Sequence, residues 1–261
     1  MKVRESAGVI SQEEIAAGIF SLQLSVSFAG ETLPGQFVSL FSKDGSRLLP
    51  RPISVCETSD HAIRLVYRIA GKGTEEFSHL SSGDSVTVMG PLGNGFPLQA
   101  CTGKSVLLAG GGIGIPPMLS CAEGFRRLEK EEQPSEILLA AGYRSETYLL
   151  PDLEKACRTF TATEDGSLGS KGTVLDAIRE NGLHPDILFA CGPKPMLRAL
   201  KEYSEAEGIE CWISMEEKMA CGIGACLGCV CETKDIDGHS HVHNTRICKD
   251  GPVFRAEEVI L

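Results

Sequence analysis

The sequence has no surplus of positive charge, no uninterrupted apolar run, no internal repeat and no low-complexity linker. Each absence removes a class. Its 261 residues carry 25 Lys and Arg against 35 Asp and Glu, a net charge of −10, whereas a surface built for DNA or RNA phosphates is basic. The uncharged stretch Ser105 to Ala122 is long enough to raise the question of a membrane span. It holds Gly110, Gly111, Gly112, Gly114, Pro116 and Pro117, so it cannot form one unbroken helix. Met1 to Ala17 mixes charges early and has no apolar core segment, so no signal peptide is expected and the expected compartment is the cytoplasm. Apolar residues are not scarce: 42% hydrophobic and 23% charged is ordinary for a globular protein and excludes a disordered tail.

The length suggests two domains and a small third module. The first hundred residues read as β. Gln36–Phe41, Pro52–Cys56, Ala62–Ile69 (Leu65 and Tyr67 on one side) and Ser85–Met89 are short strands separated by glycine and proline. Such pieces make a small antiparallel barrel or sandwich. A short helix is predicted over Thr74–Leu80, capped by Thr74. After about residue 102 strands alternate with helices. Strands at Ser105–Ala109, Ile137–Gly142, Phe160–Thr163, Ile187–Ala190 and Cys211–Ser214 interleave with helices to Leu128 and over Asp152–Cys157, Val174–Glu180 and Pro193–Ala206. That texture is a parallel sheet with crossover helices. From Met215 on, the chain is rich in cysteine and glycine, too irregular for a core of its own, and expected to be held by a metal. The expectation is an α+β multidomain chain: residues 1–100 an antiparallel β-barrel, 101–214 an α/β parallel-sheet nucleotide domain, 215–261 a small C-terminal [2Fe–2S] domain.

Of eleven cysteines, five crowd into the last 41 residues: Cys221, Cys226, Cys229, Cys231 and Cys248. A cytoplasmic chain does not usually spend cysteines on disulfides, so crowding points to a metal or cluster. Cys221, Cys226 and Cys229 follow C-x4-C-x2-C with Cys248 further on, the plant-type spacing for a [2Fe–2S] cluster. Gly222, Gly224, Ala225 and Gly228 keep bulky side chains away, so backbone N–H groups can close around sulfur. Zinc sites usually pair two C-x2-C hairpins, a poorer match. Cys231 reads as a buried structural thiol. His239, His241 and His243 read as solvated residues on a hairpin tip.

Two further patches suit nucleotides. Arg51-Pro52-Ile53-Ser54 places an arginine, able to neutralise a diphosphate, three residues from a serine that can bond a flavin edge. Tyr67-Arg68 and Gly73-Thr74, the latter at a helix start, form a second patch. An arginine on a strand is, however, more often a surface charge. Val106 to Pro117 reads as strand, glycine turn and helix start, with Gly111, Gly112 and Gly114 letting a dinucleotide approach; a bare βα turn is the plain alternative. Cys191-Gly192-Pro193 ends a later strand, where a nicotinamide would lie, although a cysteine there is more often a small buried hydrophobe. Glu164-Asp165 after another strand suits a ribose diol and repels a 2′-phosphate, which favours NAD over NADP, with Arg144 as the counter-argument.

The order R-P-I-S, Y-R…G-T, GGGIGIPP and CGP resembles the ferredoxin–NADP reductase superfamily. With Met219-Ala-Cys221-Gly-Ile-Gly-Ala-Cys226 and Cys248-Lys-Asp-Gly-Pro-Val-Phe254, the chain from about residue 3 to Leu261 is similar to the electron-transfer subunits of NAD-dependent (type B) dihydroorotate dehydrogenases. The resemblance implies FAD held by Arg51, Pro52, Ile53, Ser54, Val66, Tyr67, Arg68, Gly73 and Thr74, and a [2Fe–2S] cluster on Cys221, Cys226, Cys229 and Cys248. It also implies NAD as substrate and no catalytic side chain. The implied partner is a catalytic FMN-containing subunit, two plus two in a heterotetramer, serving pyrimidine biosynthesis. The insert between Cys229 and Cys248 departs from the family in length. The alternatives are the small subunit of another flavin/[2Fe–2S] oxidoreductase (ferredoxin:NADP or sulfur reductase type), a stand-alone flavin reductase, or a zinc-stabilised binding module.

Overall fold

The structure, a computed structural model, describes residues 2–236, 238 and 241–261. Six strands close a barrel: β1 (Val3–Ala16), β2 (Ile19–Ser25), β3 (Phe37–Phe41), β4 (Arg51–Thr58), β5 (Ala62–Arg68) and β6 (Ser85–Leu92), in the order β1-β2-β5-β4-β3-β6. Every pairing in it is antiparallel. Alternation along each strand fills the interior with Leu22, Leu24, Val38, Leu40, Ile63, Leu65, Tyr67 and Val88. The sequence reading does not resolve β1 and β2. In β1 exposed positions carry Arg4, Glu13 and Glu14, and register shifts at Val9/Ser11 and Glu14/Ala16 break the period of two.

Between β5 and β6 lies α1 (Lys72–Phe77), two residues earlier than predicted. Thr74 is not its cap. It sits at the third helical position, where its Oγ1 accepts from the N–H groups of Ala70 (2.8 Å) and Gly71 (3.3 Å).

The second sheet runs β10 (Ser170–Lys171), β9 (Arg158–Thr163), β8 (Glu136–Tyr143), β7 (Ser105–Gly111), β11 (Ile187–Cys191), β12 (Glu210–Ser214) and β15 (Val253–Arg255). All its pairings are parallel except β12 with β15. Helices α2 (Ile115–Arg126) and α3 (Leu150–Ala156) bury one face, and α4 (Val174–Glu180) and α5 (Lys194–Glu207) the other. Strand order reverses at β7 and β11, so their carboxyl ends form the crevice where an open α/β sheet takes its ligand.

The tail is better buried than its composition suggests. A hairpin of β13 (Val230–Glu232) and β14 (Asn244–Arg246) precedes β15. Met219, Cys229, Cys231, Ile247, Cys248 and Val259 join the same buried cluster as Leu107, Leu188 and Ile213 of the sheet. The segment has no core of its own and borrows the apolar face of the neighbouring sheet, a support the sequence reading, which expected a metal to hold it, did not include. His241 and His243 are exposed in the hairpin connection, with His243 Nδ1 2.8 Å from the Lys234 carbonyl, and His239 lies outside the described residues. Among the described residues no helix is long and apolar enough to cross a membrane.

Candidate functional site

The barrel's contribution begins at β4. Arg51 lies at its start, and its guanidinium packs flat on Gly73: a Cβ at residue 73 would stand 2.3 Å from Arg51 Nε. The arginine also donates to the Leu49 carbonyl. This places a cation against the first turn of α1, an arrangement that fits a diphosphate. Behind it, Glu76 accepts from Lys43 N (2.8 Å), Arg47 Nη1 (2.6 Å) and the Ser42 hydroxyl, fixing the loop that leads into β4. Ser54 pairs with Phe37 of β3 and is half-buried.

Val66 and Arg68 point out of the barrel, Val66 into the contact with α2 and Arg68 to solvent. Tyr67 points the other way. Its ring is 1% exposed inside the barrel, stacks on Phe20, and its hydroxyl donates to Gln12 Oε1 (3.0 Å). The Tyr67 side chain therefore does not face a flavin, and only its backbone remains available to one.

On the sheet side, the turn after β7 is built on close approach. A Cβ at Gly114 would lie 2.1 Å from the Cys191 carbonyl oxygen, so the two strand-end turns touch. Tyr148 donates to the Gly112 carbonyl (2.5 Å) and is itself braced by Tyr143, whose hydroxyl donates to the Tyr148 carbonyl (2.8 Å). Sequence reasoning missed this tyrosine, which lies in no motif. Gly192 and Pro193 line the same crevice lip, but the Cys191 side chain is fully buried, and burial pushes its thiol well above the usual range. Glu164 is exposed beyond β9. Asp165 is engaged locally: it accepts from Ser167 Oγ (2.7 Å) and N (3.0 Å), which holds its carboxyl below the usual value.

The two halves meet. The end of β5 approaches the Gly112–Gly114 turn, and Arg68 lies within electrostatic reach of Tyr148 and of Glu216. Glu216, exposed just past β12, lies within electrostatic reach of Arg68 and Cys191; desolvation raises its carboxyl pKa and Arg68 opposes that rise. Nothing in the sequence singles out this acid beyond its place after the last parallel strand.

The cysteine loop is organised by N–H donors. Cys221 Sγ accepts from Ile223 N (3.5 Å) and Ala225 N (3.3 Å), Cys226 Sγ from Gly228 N (3.4 Å), Cys248 Sγ from Gly224 N (3.1 Å) and Cys229 Sγ from Cys248 N (3.4 Å). Burial disfavours the Cys221 thiolate, but these N–H groups and the neighbouring Cys226 thiol outweigh it and bring the group down to about 6. Cys248 is pushed up to about 12 by burial, by its bond to Cys229 and by the surrounding sulfur charge. Cys229 and Cys248 are buried, Cys221 is half-buried and Cys226 is exposed.

Among the described residues no three His, Cys, Asp or Glu side chains converge as on a single ion. The thiols pair instead, Cys221 with Cys226 and Cys229 with Cys248. Two thiol pairs ringed by N–H donors fit a binuclear iron–sulfur centre. Cys231 is buried, and burial raises its thiol to about 11.

Asn94 ties this loop to the barrel. Its side chain donates to the carbonyls of Val253 (2.8 Å) and Asp250 (3.3 Å) and accepts from Val253 N (2.9 Å), while its own N–H donates to the Gly251 carbonyl (2.7 Å). Arg246 and Asp250 brace the same turn (2.8 Å), with the Asp250 carboxyl held low.

Residues 216–260 match the family described as the iron–sulfur cluster binding domain of dihydroorotate dehydrogenase B. Over its whole length the chain is 39% identical to the dihydroorotate dehydrogenase B (NAD(+)) electron transfer subunit of Caldanaerobacter subterraneus, with all of both chains covered. It is 40% identical to the subunit of the same name from a Geobacillus species, again over all of both chains. The chain belongs to this family of electron transfer subunits. Among solved structures, an NADH-dependent reduced ferredoxin–NADP oxidoreductase superposes with a TM-score of 0.83 at 28% identity, covering 97% of this chain and 89% of that one. An Amycolatopsis cytochrome P450 reductase shares the fold alone, with a TM-score of 0.66 at 22% identity over 79% of this chain and 66% of that one. Family membership and fold together make this an oxidoreductase subunit with an FAD/NAD reductase fold and an iron–sulfur domain.

Proposed function

We propose that the chain is the electron-transfer subunit of an NAD-dependent dihydroorotate dehydrogenase in pyrimidine biosynthesis. A catalytic FMN subunit oxidises dihydroorotate to orotate, and this chain delivers the two electrons to NAD⁺, yielding NADH and a proton. The observation that carries the reading is the meeting of three groups of residues. The Arg51–Ser54 strand, the Gly111–Gly114 turn and the cysteine loop all border the junction of barrel and sheet.

Residues 1–100 hold FAD, 101–214 hold NAD and 215–261 hold the [2Fe–2S] centre on Cys221, Cys226, Cys229 and Cys248. Bound there, the centre would supply one-electron transfer and FAD two-electron hydride chemistry toward NAD⁺. The protein's part is placement. Arg51, over Gly73, neutralises the flavin diphosphate, and Pro52 to Ser54, the Val66–Arg68 backbone and Thr74 line the flavin. Gly111, Gly112, Gly114, Gly192 and Pro193 let the nicotinamide nucleotide approach, with Cys191 packed beneath. Glu164 takes the ribose diol, Asp165 being occupied by Ser167. No side chain need act as acid or base.

The exposed apolar residues Ile223 and Leu227, beside exposed Cys226, form the face the FMN subunit covers, in a two-plus-two assembly. No disulfide joins any of the eleven cysteines, which suits the reducing cytoplasm.

The test is anaerobic purification with the FMN subunit co-expressed. FAD with about two iron and two sulfide per chain and dihydroorotate-dependent reduction of NAD⁺ support the reading. Zinc without flavin removes it. Flavin and cluster without a response to dihydroorotate move the function to a ferredoxin:NADP or sulfur reductase system.

A further inference from the structure

A buried hydroxyl without a partner is costly, so an orphaned one calls for an explanation. Ser39 is 0% exposed, and among the described residues its Oγ is the one buried side-chain nitrogen or oxygen with no hydrogen-bond partner. Other buried hydroxyls are engaged: Thr32, Thr74, Thr163, Ser204 and Thr233 each donate to a backbone carbonyl.

Its position says what is missing. On β3, Val38 and Leu40 fill the barrel, so Ser39 projects outward, between Pro52 of β4 and Met89 of β6. Gly222 of the cysteine loop closes over it. A Cβ at residue 222 would stand 3.2 Å from Ser39 Oγ, 3.4 Å from Leu92 Cδ1 and 3.5 Å from Met89 Cε. The Pro52 ring, the Leu92 methyl and the Met89 thioether offer a hydroxyl no strong acceptor. Gly222 follows Cys221 directly, so this hydroxyl lies beside the loop whose cysteines would hold the centre.

We propose that Ser39 is a positioning residue for the iron–sulfur centre, its hydroxyl donating a hydrogen bond to a sulfur at the Cys221 corner. The inference rests on the cofactor assignment proposed above. A donor to sulfur stabilises the more negative, reduced state and raises the reduction potential.

The experiment compares wild-type and Ser39→Ala complexes, both co-expressed with the FMN subunit. Iron, sulfide and flavin are assayed first, then the reduced centre is titrated by electron paramagnetic resonance in H2O and D2O. The expected result is unchanged iron and flavin content, a centre harder to reduce by about tenfold in its one-electron equilibrium (about 59 mV), and loss of one exchangeable proton coupling. The flavin potential should stay put. In the iron-free chain the sign reverses, because alanine removes an orphaned hydroxyl and raises the melting temperature. A fully loaded variant with an unmoved centre potential and intact proton coupling overturns the proposal. So does a shift that falls on the flavin couple, which would assign the hydroxyl to FAD. A wild-type complex with flavin and no iron removes the functional reading itself, and this role with it.

Discussion

Two glycine-rich loops, Gly110–Gly114 and Cys221–Cys229, look alike in composition and work by different physics. In the first, glycine is required because backbones nearly touch: at residue 114 any Cβ would overlap the Cys191 carbonyl. In the second, the crowding comes from a flexible side chain, with Lys249 Cδ 2.7 Å from where a Gly224 Cβ would stand, and direction is what matters. Gly224 adopts φ +85°, and its N–H reaches Cys248 Sγ. The nucleotide turn is thus set by burial and packing that exist without any ligand. The cysteine loop is set by sulfur, with exposed Ile223 and Leu227 on its outer side. Glycine in a motif therefore does not name its own reason.

The sharpest break between the two loops is Cys226→Ser. It should abolish dihydroorotate-dependent NAD⁺ reduction by removing a proposed iron ligand, yet leave NADH oxidation by an artificial acceptor within about twofold. Assaying both activities on one preparation checks this, and joint loss would mean that the two sites are not separable. Gly114→Ala should do the converse, costing about 2–3 kcal/mol through overpacking and raising the KM for NADH while iron content holds. Denaturant unfolding and iron assay measure the two effects.

Asn94→Ala strands backbone groups of the Asp250–Val253 turn. It should cost about 1–3 kcal/mol and speed iron loss to a chelator, read from the fading visible spectrum. Gly224→Ala forces a side chain into left-handed backbone at about 1–2 kcal/mol. It should weaken the cluster loop without touching NADH affinity, as thermal melts of the loaded and iron-free chains would show.

The smallest effect is expected at Asp176, remote from both loops. It accepts from Thr173 N and Oγ1 (each 2.7 Å) in a capping box at the start of α4, and its carboxyl is held below the usual value. A carboxylate with a depressed folded pKa stabilises above its unfolded pKa, and the contribution fades as pH falls through the folded value. Asp176→Asn should therefore cost about 0.5 kcal/mol near neutral pH, the exposed site being screened by solvent. The difference should begin to shrink below pH ~4 and vanish once the pH has fallen past the lower folded value, as paired melts across that range would show.

How much of this was readable before the structure differed by region. The crossover half announced itself: α4 falls on Val174–Glu180, and β7, β8, β9, β11 and β12 lie where apolar runs predict them. Buried parallel strands are apolar on both faces, so the signal is strong. The barrel's first two strands were hidden by their polar outer face. Tyr67 shows the same limit within a motif, since its neighbours in sequence face outward while it serves the barrel interior.

The kind of chemistry is legible in local sequence. The cysteine spacing is local, spanning Cys221 to Cys229, and ligand geometry over so short a loop follows from spacing alone. Strand type and layer order likewise follow from local periodicity. What supports that chemistry is set by long-range folding. Asn94 meets Val253 across 159 positions, Tyr148 reaches Gly112 across 36, and β15 returns to pair with β12. Ser39 comes to lie under Gly222 by the same long-range folding. Such partners leave no periodic trace, because each is chosen by where the packed layers bring distant backbones together, and a polar side chain's role is set by whichever group ends up within hydrogen-bond reach.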